Sequence, residues 1–280
     1  MKTVSLTDEV REAVRAARER GLDVGFVPTM GYLHEGHLEL MRTAKHQNGF
    51  VVLSIFVNPL QFGPHEDLEK YPRDPEGDAA KASGAVVDLI FTPPVEEMYP
   101  AGPSMSTVDV GPIGEAGEGK FRPGHFNGVA TVCTKLFSIV GPDRVYFGRK
   151  DAQQLAVIRQ IVRDLNLPVQ VVPCETVREP DGLAMSSRNA YLSAEEREAA
   201  PAIYRALEKA RNAFSPGGPA DALKEIVARE ISKEPALRLE YAEVFDSETF
   251  EPVTQVAGGA TIAVAAYLGG TRLIDNIEVG

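Results

Sequence analysis

Apolar residues in this chain come in two alternating patterns. Short β-rich runs alternate with stretches of helical period from the N-terminus to about Val177. The opening segment is charged and helical in pattern. It predicts a helix over 7–20, with Thr7 as a cap, Asp8 and Glu9 at the positive end and Gly21 as the stop. "DVGFVPTM" reads as a buried strand, the first of a parallel set, and "HLELMRTAKHQNG" as a helix closed by Gly49. "FVVLSIFVNP", "VVDLIFTPP", "DRVYFG" and "PVQVVPCETV" read as further strands. "DPEGDAAKASG", "FNGVATVCTKLFSIV" and "DAQQLAVIRQIVRDLN" read as the helices between them. Apolar strands alternating with helices predict an α/β fold, a parallel sheet with helices on both faces. Ligands of such sheets bind beyond the carboxyl ends of the strands.

After Val177 the pattern changes. Ser193 and Glu196 form a capping box that opens a helix, "SPGGPA" is a break, and "DALKEIVAREISK" is another helix. "RLEYAEVFD", "ATIAVAAYLGG" and "TRLIDNIEVG" read as three strands. Two domains are therefore expected: residues 1–177, and a smaller α+β domain at 178–280.

Composition narrows the function. Among 280 residues, 44% are hydrophobic and 25% charged, as in ordinary globular proteins. No run of about 18 apolar residues is present and no secretion signal opens the chain, so no membrane role and a cytoplasmic location are expected. The net charge of −11 argues against a nucleic-acid partner and leaves room for a small anion in a focused pocket. Cys133 and Cys174 are too few for a disulfide framework, and Cys133 lies in an apolar helical stretch, best read as core.

The candidate chemistry starts at "VPTMGYLHEGHLEL", where two of the five histidines, His34 and His37, stand three apart at a strand-to-helix junction. Residues at that spacing share a helix face, and amides at a helix start favour phosphate. Capping or surface histidines would explain the pair as well, and a zinc site lacks a third ligand nearby. Four other stretches fall at comparable positions. "SIFVNPLQF" puts Asn58 and Gln61 after a strand, although Asn58-Pro59 also suits a plain turn. "YFGRKDAQQL" offers Gly148, Lys150 and Asp151, with Gln153 or Gln154 facing a pocket. "GLAMSSRNAYL" offers Ser186, Ser187 and Arg188 on a loop. "GKFRPGHFNGV" offers Arg122 and His125.

Taken together, "PTMGYLHEGH", "SIFVNPLQF", "YPRDP", "FRPGHFNGV", "YFGRKDAQQ" and "TVREPDGLAMSSRN" resemble, in order and spacing, the pantoate–β-alanine ligase family of the HxGH nucleotidyltransferase superfamily. The resemblance runs along essentially the whole chain. It implies a Rossmann-like nucleotide- and pantoate-binding domain and a smaller C-terminal domain that covers the active site. It implies that ATP, (R)-pantoate and β-alanine give pantothenate, AMP and pyrophosphate through a pantoyl adenylate. By position, Met30, Gly31, Tyr32, Leu33, His34, Glu35, Gly36 and His37 would line ATP, with His37 the proton donor. Gly148, Arg149, Lys150, Asp151, Val177, Met185, Ser186, Ser187 and Arg188 would also contact ATP. Gln61 would touch pantoate and β-alanine, and Gln154 pantoate; His34, Lys150 and Asn58 complete the catalytic set. Mg2+ would accompany ATP. Only Asp78 remains of an acidic pair seen in some relatives, so it is the one candidate for a protein-held metal. A homodimer is implied. The rival readings are another HxGH nucleotidyltransferase, which would need basic groups around its acceptor, a nucleotide sensor without turnover, and a tRNA-dependent synthetase, which the −11 charge disfavours.

Overall fold

The computed structural model describes residues 1–63, 68–102 and 106–280. In chain order the first elements are β1 (Lys2–Val4), α1 (Thr7–Glu19), β2 (Val24–Thr29), α2 (Glu35–Gln47), β3 (Phe50–Ile55), α3 (Pro75–Gly84), β4 (Leu89–Phe91) and α4 (Val95–Met98). They continue with α5 (Gly117–Phe121), α6 (His125–Val140), β5 (Arg144–Gly148), α7 (Ala152–Asp164) and β6 (Gln170–Cys174). The remainder is α8 (Ala194–Ala199), α9 (Ala202–Asn212), β7 (Gly218–Pro219), α10 (Ala220–Ile231), β8 (Leu237–Asp246), β9 (Gln255–Val256), β10 (Ala260–Leu268) and β11 (Thr271–Val279). The chain forms two compact units. One comprises Met1–Gly114, Arg122–Gly148 and Val157–Cys174; the other comprises Glu115–Phe121, Arg149–Ala156 and Glu175–Gly280.

The first unit holds a six-stranded sheet in the order β1-β4-β3-β2-β5-β6, with every neighbouring pair parallel. Successive side chains of a strand point to opposite faces. Accordingly Phe26 meets the edge of the Phe137 ring on α6, while Val27 packs with Met41 and Ala44 of α2 and Ala82 of α3. Helices thus cover both faces, as the alternating pattern predicted. Strand order reverses between β2 and β5, the place where open sheets of this kind take ligands. The ladder there holds only at Gly25 with Arg144 and Phe26 with Val145, whereas β2 pairs with β3 from Val24 to Thr29. The two central strands are therefore unlaced at their carboxyl ends.

Local expectations needed two corrections at the N-terminus. β1 precedes β2 and pairs with β4, so "DVGFVPTM" is the second strand of the chain rather than the first. Thr7 does not cap α1. Leu6 holds the cap position, Glu9 accepts from the Leu6 amide at 3.2 Å, and Thr7 turns to Glu97, which accepts its amide at 2.8 Å and its hydroxyl at 2.7 Å.

In the second unit β8, β10 and β11 form an antiparallel sheet in the order β11-β10-β8, packed with α9 and α10 around Ile203, Leu207, Leu223, Val227, Ile262 and Val264. The Ser193 cap is formed as predicted: its hydroxyl accepts from Glu196 at 3.2 Å, and its amide donates to the Glu196 carboxylate at 2.9 Å. The helix it opens stops at Ala199, and α9 begins after Pro201, a residue with no amide hydrogen to continue the ladder.

Candidate active site

In the first unit the chain leaves β2 through two consecutive left-handed residues, Gly31 at φ +86 and Tyr32 at φ +52. That conformation costs a side-chain-bearing residue about 1–2 kcal/mol. The surroundings hold it. Asp78, 1% exposed on α3, accepts the Tyr32 amide at 2.9 Å and the Leu33 amide at 2.7 Å. Lys81, one turn along, donates to the Leu33 carbonyl at 2.8 Å. A Cβ on Gly31 would lie 2.9 Å from Asp78 Oδ2, so a small residue is required there. Both Asp78 oxygens are thus engaged by backbone, which leaves the metal-candidate carboxylate serving the turn instead.

His34 then occupies the N-cap of α2 and His37 the third helical position. The imidazole centroids lie 4.0 Å apart with planes tilted by 42°. The His34 amide donates to His37 Nδ1 at 3.3 Å. An amide only donates, so Nδ1 is an acceptor and the proton of the neutral His37 ring sits on Nε2. The expectation that amides of this turn hold phosphate narrows accordingly. Those of Tyr32, Leu33 and His34 have protein acceptors, while those of Glu35 and Gly36 meet none among the described residues.

Asn58 is buried after β3, and four groups fix its orientation. Its Oδ1 accepts from the Leu60 amide at 3.3 Å and the Tyr99 hydroxyl at 2.7 Å; its Nδ2 donates to the Gly128 carbonyl at 3.2 Å and to Gln61 Oε1 at 3.1 Å. Burial pushes the Tyr99 phenol well above its ordinary value, which keeps that donor protonated. Because the Leu60 amide only donates and the Gly128 carbonyl only accepts, the amide of Asn58 cannot be flipped. The constraint passes on. Gln61 must present Oε1 to Asn58, so its Nε2 points elsewhere, 3.2 Å from the Met30 sulfur. A thioether is a weak acceptor, and an incoming oxygen can replace it.

Gln61 is also held from behind. His125 Nδ1 lies 2.8 Å from the Gln61 carbonyl, and Arg122 Nη1 lies 3.0 Å from His125 Nε2. A carbonyl only accepts and a guanidinium only donates, so His125 is the neutral Nδ1–H tautomer with Nε2 as acceptor. Gly128 allows α6 to come this close: a Cβ there would meet the Leu60 carbonyl oxygen at 2.3 Å. Cys133, further along α6, is buried, and burial pushes its thiol up to about 12, which fits a core residue and not a nucleophile.

The second unit arranges the rest of the predicted residues. Gln153 is buried; its Oε1 accepts from the Glu118 amide at 2.8 Å and its Nε2 donates to the Ala116 carbonyl at 2.8 Å. Of the two glutamines that opened this helix in the sequence, Gln153 therefore fastens residues 116–118, and Gln154 is the half-buried one. Asn276 of β11 donates through Nδ2 to the carbonyls of Arg149 at 3.0 Å and Lys150 at 2.7 Å. It fixes the backbone that carries Lys150, whose ammonium lies 3.5 Å from Asp151. Arg149 pairs with Glu278 and Glu175. Beside them Arg178 forks onto Asp275 at 2.6 and 3.0 Å, donates to the Gly182 carbonyl at 3.1 Å and lies over the Tyr204 ring at 3.8 Å. The Met185 amide returns to the Val177 carbonyl at 3.0 Å, which closes this loop and delivers Ser186, whose hydroxyl accepts from the Arg188 amide at 3.2 Å.

Known proteins decide which of the rival readings stands. The sequence model of the family described as pantoate-beta-alanine ligase matches residues 2–278. The chain belongs to the pantoate–β-alanine ligase family. It is 52% identical over 280 residues to a pantothenate synthetase of Caldicellulosiruptor bescii, covering 100% of this chain and 99% of the relative. A pantothenate synthetase of Thermotoga petrophila is 50% identical over 282 residues and is covered to its full length, as is this chain. The crystal structure of a pantothenate synthetase from Thermus thermophilus matches with a TM-score of 0.93 at 51% identity over 99% of both chains. That of a Francisella tularensis pantoate-beta-alanine ligase, complexed with beta-gamma ATP and beta-alanine, matches with a TM-score of 0.81 at 32% identity over 99% of this chain and 97% of that one. Full-length agreement with ligases of this family disfavours the alternative nucleotidyltransferase and sensor readings.

Sequence reasoning named the histidines, Asn58, Gln61 and Lys150 but missed the groups that hold them in this ligase fold: Asp78 and Lys81 as clamp, Tyr99, Asp275 and Asn276. One signal was present. In "TRLIDNIEV" two adjacent polar residues, Asp275 and Asn276, fall between the apolar pair Leu273-Ile274 and Ile277, and both are buried. Buried polar groups in a strand need partners, and these find the backbone and Arg178.

Proposed function

We infer that this chain is an AMP-forming ligase that condenses (R)-pantoate with β-alanine in pantothenate synthesis, using ATP. The family match over residues 2–278 carries the reading. A carboxylate is a poor acyl donor because oxide is a bad leaving group. A pantoate carboxylate oxygen therefore attacks the α-phosphorus of ATP, the bond to the β-phosphate oxygen breaks, and pyrophosphate leaves. The amine of β-alanine then attacks the acyl carbon, the acyl–oxygen bond breaks, AMP departs, and the amine gives up its proton to form the amide. No enzyme nucleophile is needed, so the protein's work is to align reactants and stabilise charge on the α-phosphate and pyrophosphate.

Within this proposal Met30 to His37, Gly148 to Asp151, Val177 and Met185 to Arg188 contact ATP. Gln61 and Gln154 take pantoate, and Gln61 also takes β-alanine. His37, with its proton on Nε2, is the donor toward developing phosphate charge, supported by its Nδ1 accepting from His34. Lys150 and His34 assist, and Asn58 acts through Gln61, whose amide it orients so that Nε2 faces the substrate oxygen. A protein-held Mg2+ does not fit Asp78, whose oxygens take two amides, and among the described residues no group of three His, Cys, Asp or Glu side chains could hold an ion. Mg2+ is accordingly assigned to the phosphates of ATP, and no step is routed through it. Residues 1–177 are assigned nucleotide and pantoate binding, and 178–280 the smaller domain. A cytoplasmic homodimer belongs to the same proposal; among the described residues no helix is long and apolar enough to cross a membrane.

The test is isotope exchange between pyrophosphate and ATP with β-alanine left out. Exchange should require pantoate and should fall roughly a hundredfold or more in H37A. Exchange that requires a phosphorylated acceptor instead, or no AMP release with all three substrates, refutes the reading.

A further inference from the structure

We propose that α3 supplies two positioning residues for the histidine turn: Asp78, which locks the backbone of Tyr32 and Leu33, and Lys81, which orients and polarises the peptide group that hydrogen bonds His37. The catalytic consequence rests on the ligase reading; the geometry does not. The Leu33 carbonyl and the His34 amide belong to one peptide plane. Lys81 Nζ lies 2.8 Å from the oxygen of that plane, and its amide donates to His37 Nδ1 at 3.3 Å. An ammonium on the carbonyl draws electron density from the amide nitrogen, and hydrogen bonds in series strengthen one another. The charge on Lys81 is therefore relayed through a single peptide to the imidazole. It favours a ring whose Nδ1 is bare and whose proton is on Nε2.

Asp78 makes this relay reproducible. Tyr32 holds a left-handed conformation at φ +52 beside Gly31 at φ +86, which persists only where the surroundings over-determine it. The two Asp78 oxygens take the Tyr32 and Leu33 amides at 2.9 and 2.7 Å, so with Lys81 three successive backbone groups are gripped by one helix. Charge-assisted bonds of this kind are roughly twice as strong as neutral ones. Helix α3 is itself anchored: the Asp74 side chain accepts the Gly77 amide at 3.0 Å, with Pro75 as the first helical residue. Neither residue needs to touch substrate to set where His34 and His37 stand.

The experiment compares D78N, K81M and K81R with the parent enzyme. Histidine-labelled nitrogen NMR on the unliganded protein reads the His37 tautomer, while rapid-quench kinetics separate adenylate formation from its aminolysis. K81M should lower the Nε2–H fraction of His37. It should slow adenylate formation roughly tenfold to a hundredfold, with aminolysis and the KM for β-alanine changed by less than about twofold, far below such a misplacement effect. K81R, which keeps a charged donor, should restore much of both signals. D78N should behave like K81M with its Mg2+ requirement unaltered; if D78N does not fold, the K81M and K81R pair decides alone. An unchanged His37 tautomer in K81M, equal losses in both half-reactions, or a raised Mg2+ requirement in D78N overturns the proposal. A parent enzyme without pantoate-dependent exchange would instead sink the ligase reading and leave the NMR result standing.

Discussion

Gly128 sits inside α6, where alanine is ordinarily the better residue by about 1 kcal/mol. Here the packing reverses the sign. An added Cβ would lie 2.3 Å from the Leu60 carbonyl oxygen, 2.6 Å from its carbon and 2.8 Å from Gln61 Cα. All three are backbone atoms, so no side chain can swing aside. Ordinary contact begins at 3.4 Å, so α6 and residues 59–61 must part by about 1 Å. Overpacking of this kind costs about 1–3 kcal/mol, and the separation also stretches the bond from Asn58 Nδ2 to the Gly128 carbonyl, now 3.2 Å. With the helix-propensity gain set against these terms, G128A should be destabilised by roughly 1–3 kcal/mol, a fall of several degrees in melting temperature. A 1 Å displacement of a substrate-positioning group can cost about a hundredfold, so kcat/KM for pantoate should fall by that order while the KM for ATP stays near the parent value. Steady-state kinetics with each substrate varied, together with a thermal melt, provide the check. A raised melting temperature with an unaltered KM for pantoate would show that helix propensity outweighs the contact and that α6 does not set the position of Gln61.

Q61A should raise the KM for pantoate far more than that for ATP, and equal losses for the two would refute its assignment. K150A should slow adenylate formation more than aminolysis in a rapid-quench comparison, and the reverse order would refute an α-phosphate role. Asp23 is held below its ordinary 3.8, chiefly by the Gly49 amide and next by Arg144, with burial opposing. A carboxyl depressed in the folded state stabilises above its unfolded value and loses that contribution as pH falls through the folded one. D23N should therefore melt below the parent at neutral pH, with the difference closing below about pH 3.8; a difference constant down to strong acid would refute this.

The alternation of apolar runs with helical periods is a local property, and it was enough to read a parallel α/β sheet with helices on both faces and a three-stranded C-terminal part. The Ser193 capping box was legible for the same reason, since its partners lie three residues apart. β1 was not legible, because three residues carry too little period to separate from the helix that follows. Asn58-Pro59 looked like a turn and is one, yet the same asparagine also orients Gln61, and only its long-range partners Tyr99 and Gly128 reveal that.

The sequence by itself determined the family, most of the strand-and-helix order and the candidate side chains for the chemistry, because short-range period and motif spacing are written along the chain. Tertiary structure alone decided what those side chains are able to do. Asp78 lies 46 positions from the Tyr32 amide it accepts and reads equally well as a metal ligand until folding turns both of its oxygens onto backbone. The His37 tautomer follows from the His34 amide three residues away, but which end of Gln61 meets Asn58 follows from Tyr99 and Gly128, distant segments that fix the Asn58 amide. Hydrogen-bond direction is a property of partners in space, and where those partners are distant, as for Asp78 and Asn58, no local pattern encodes it.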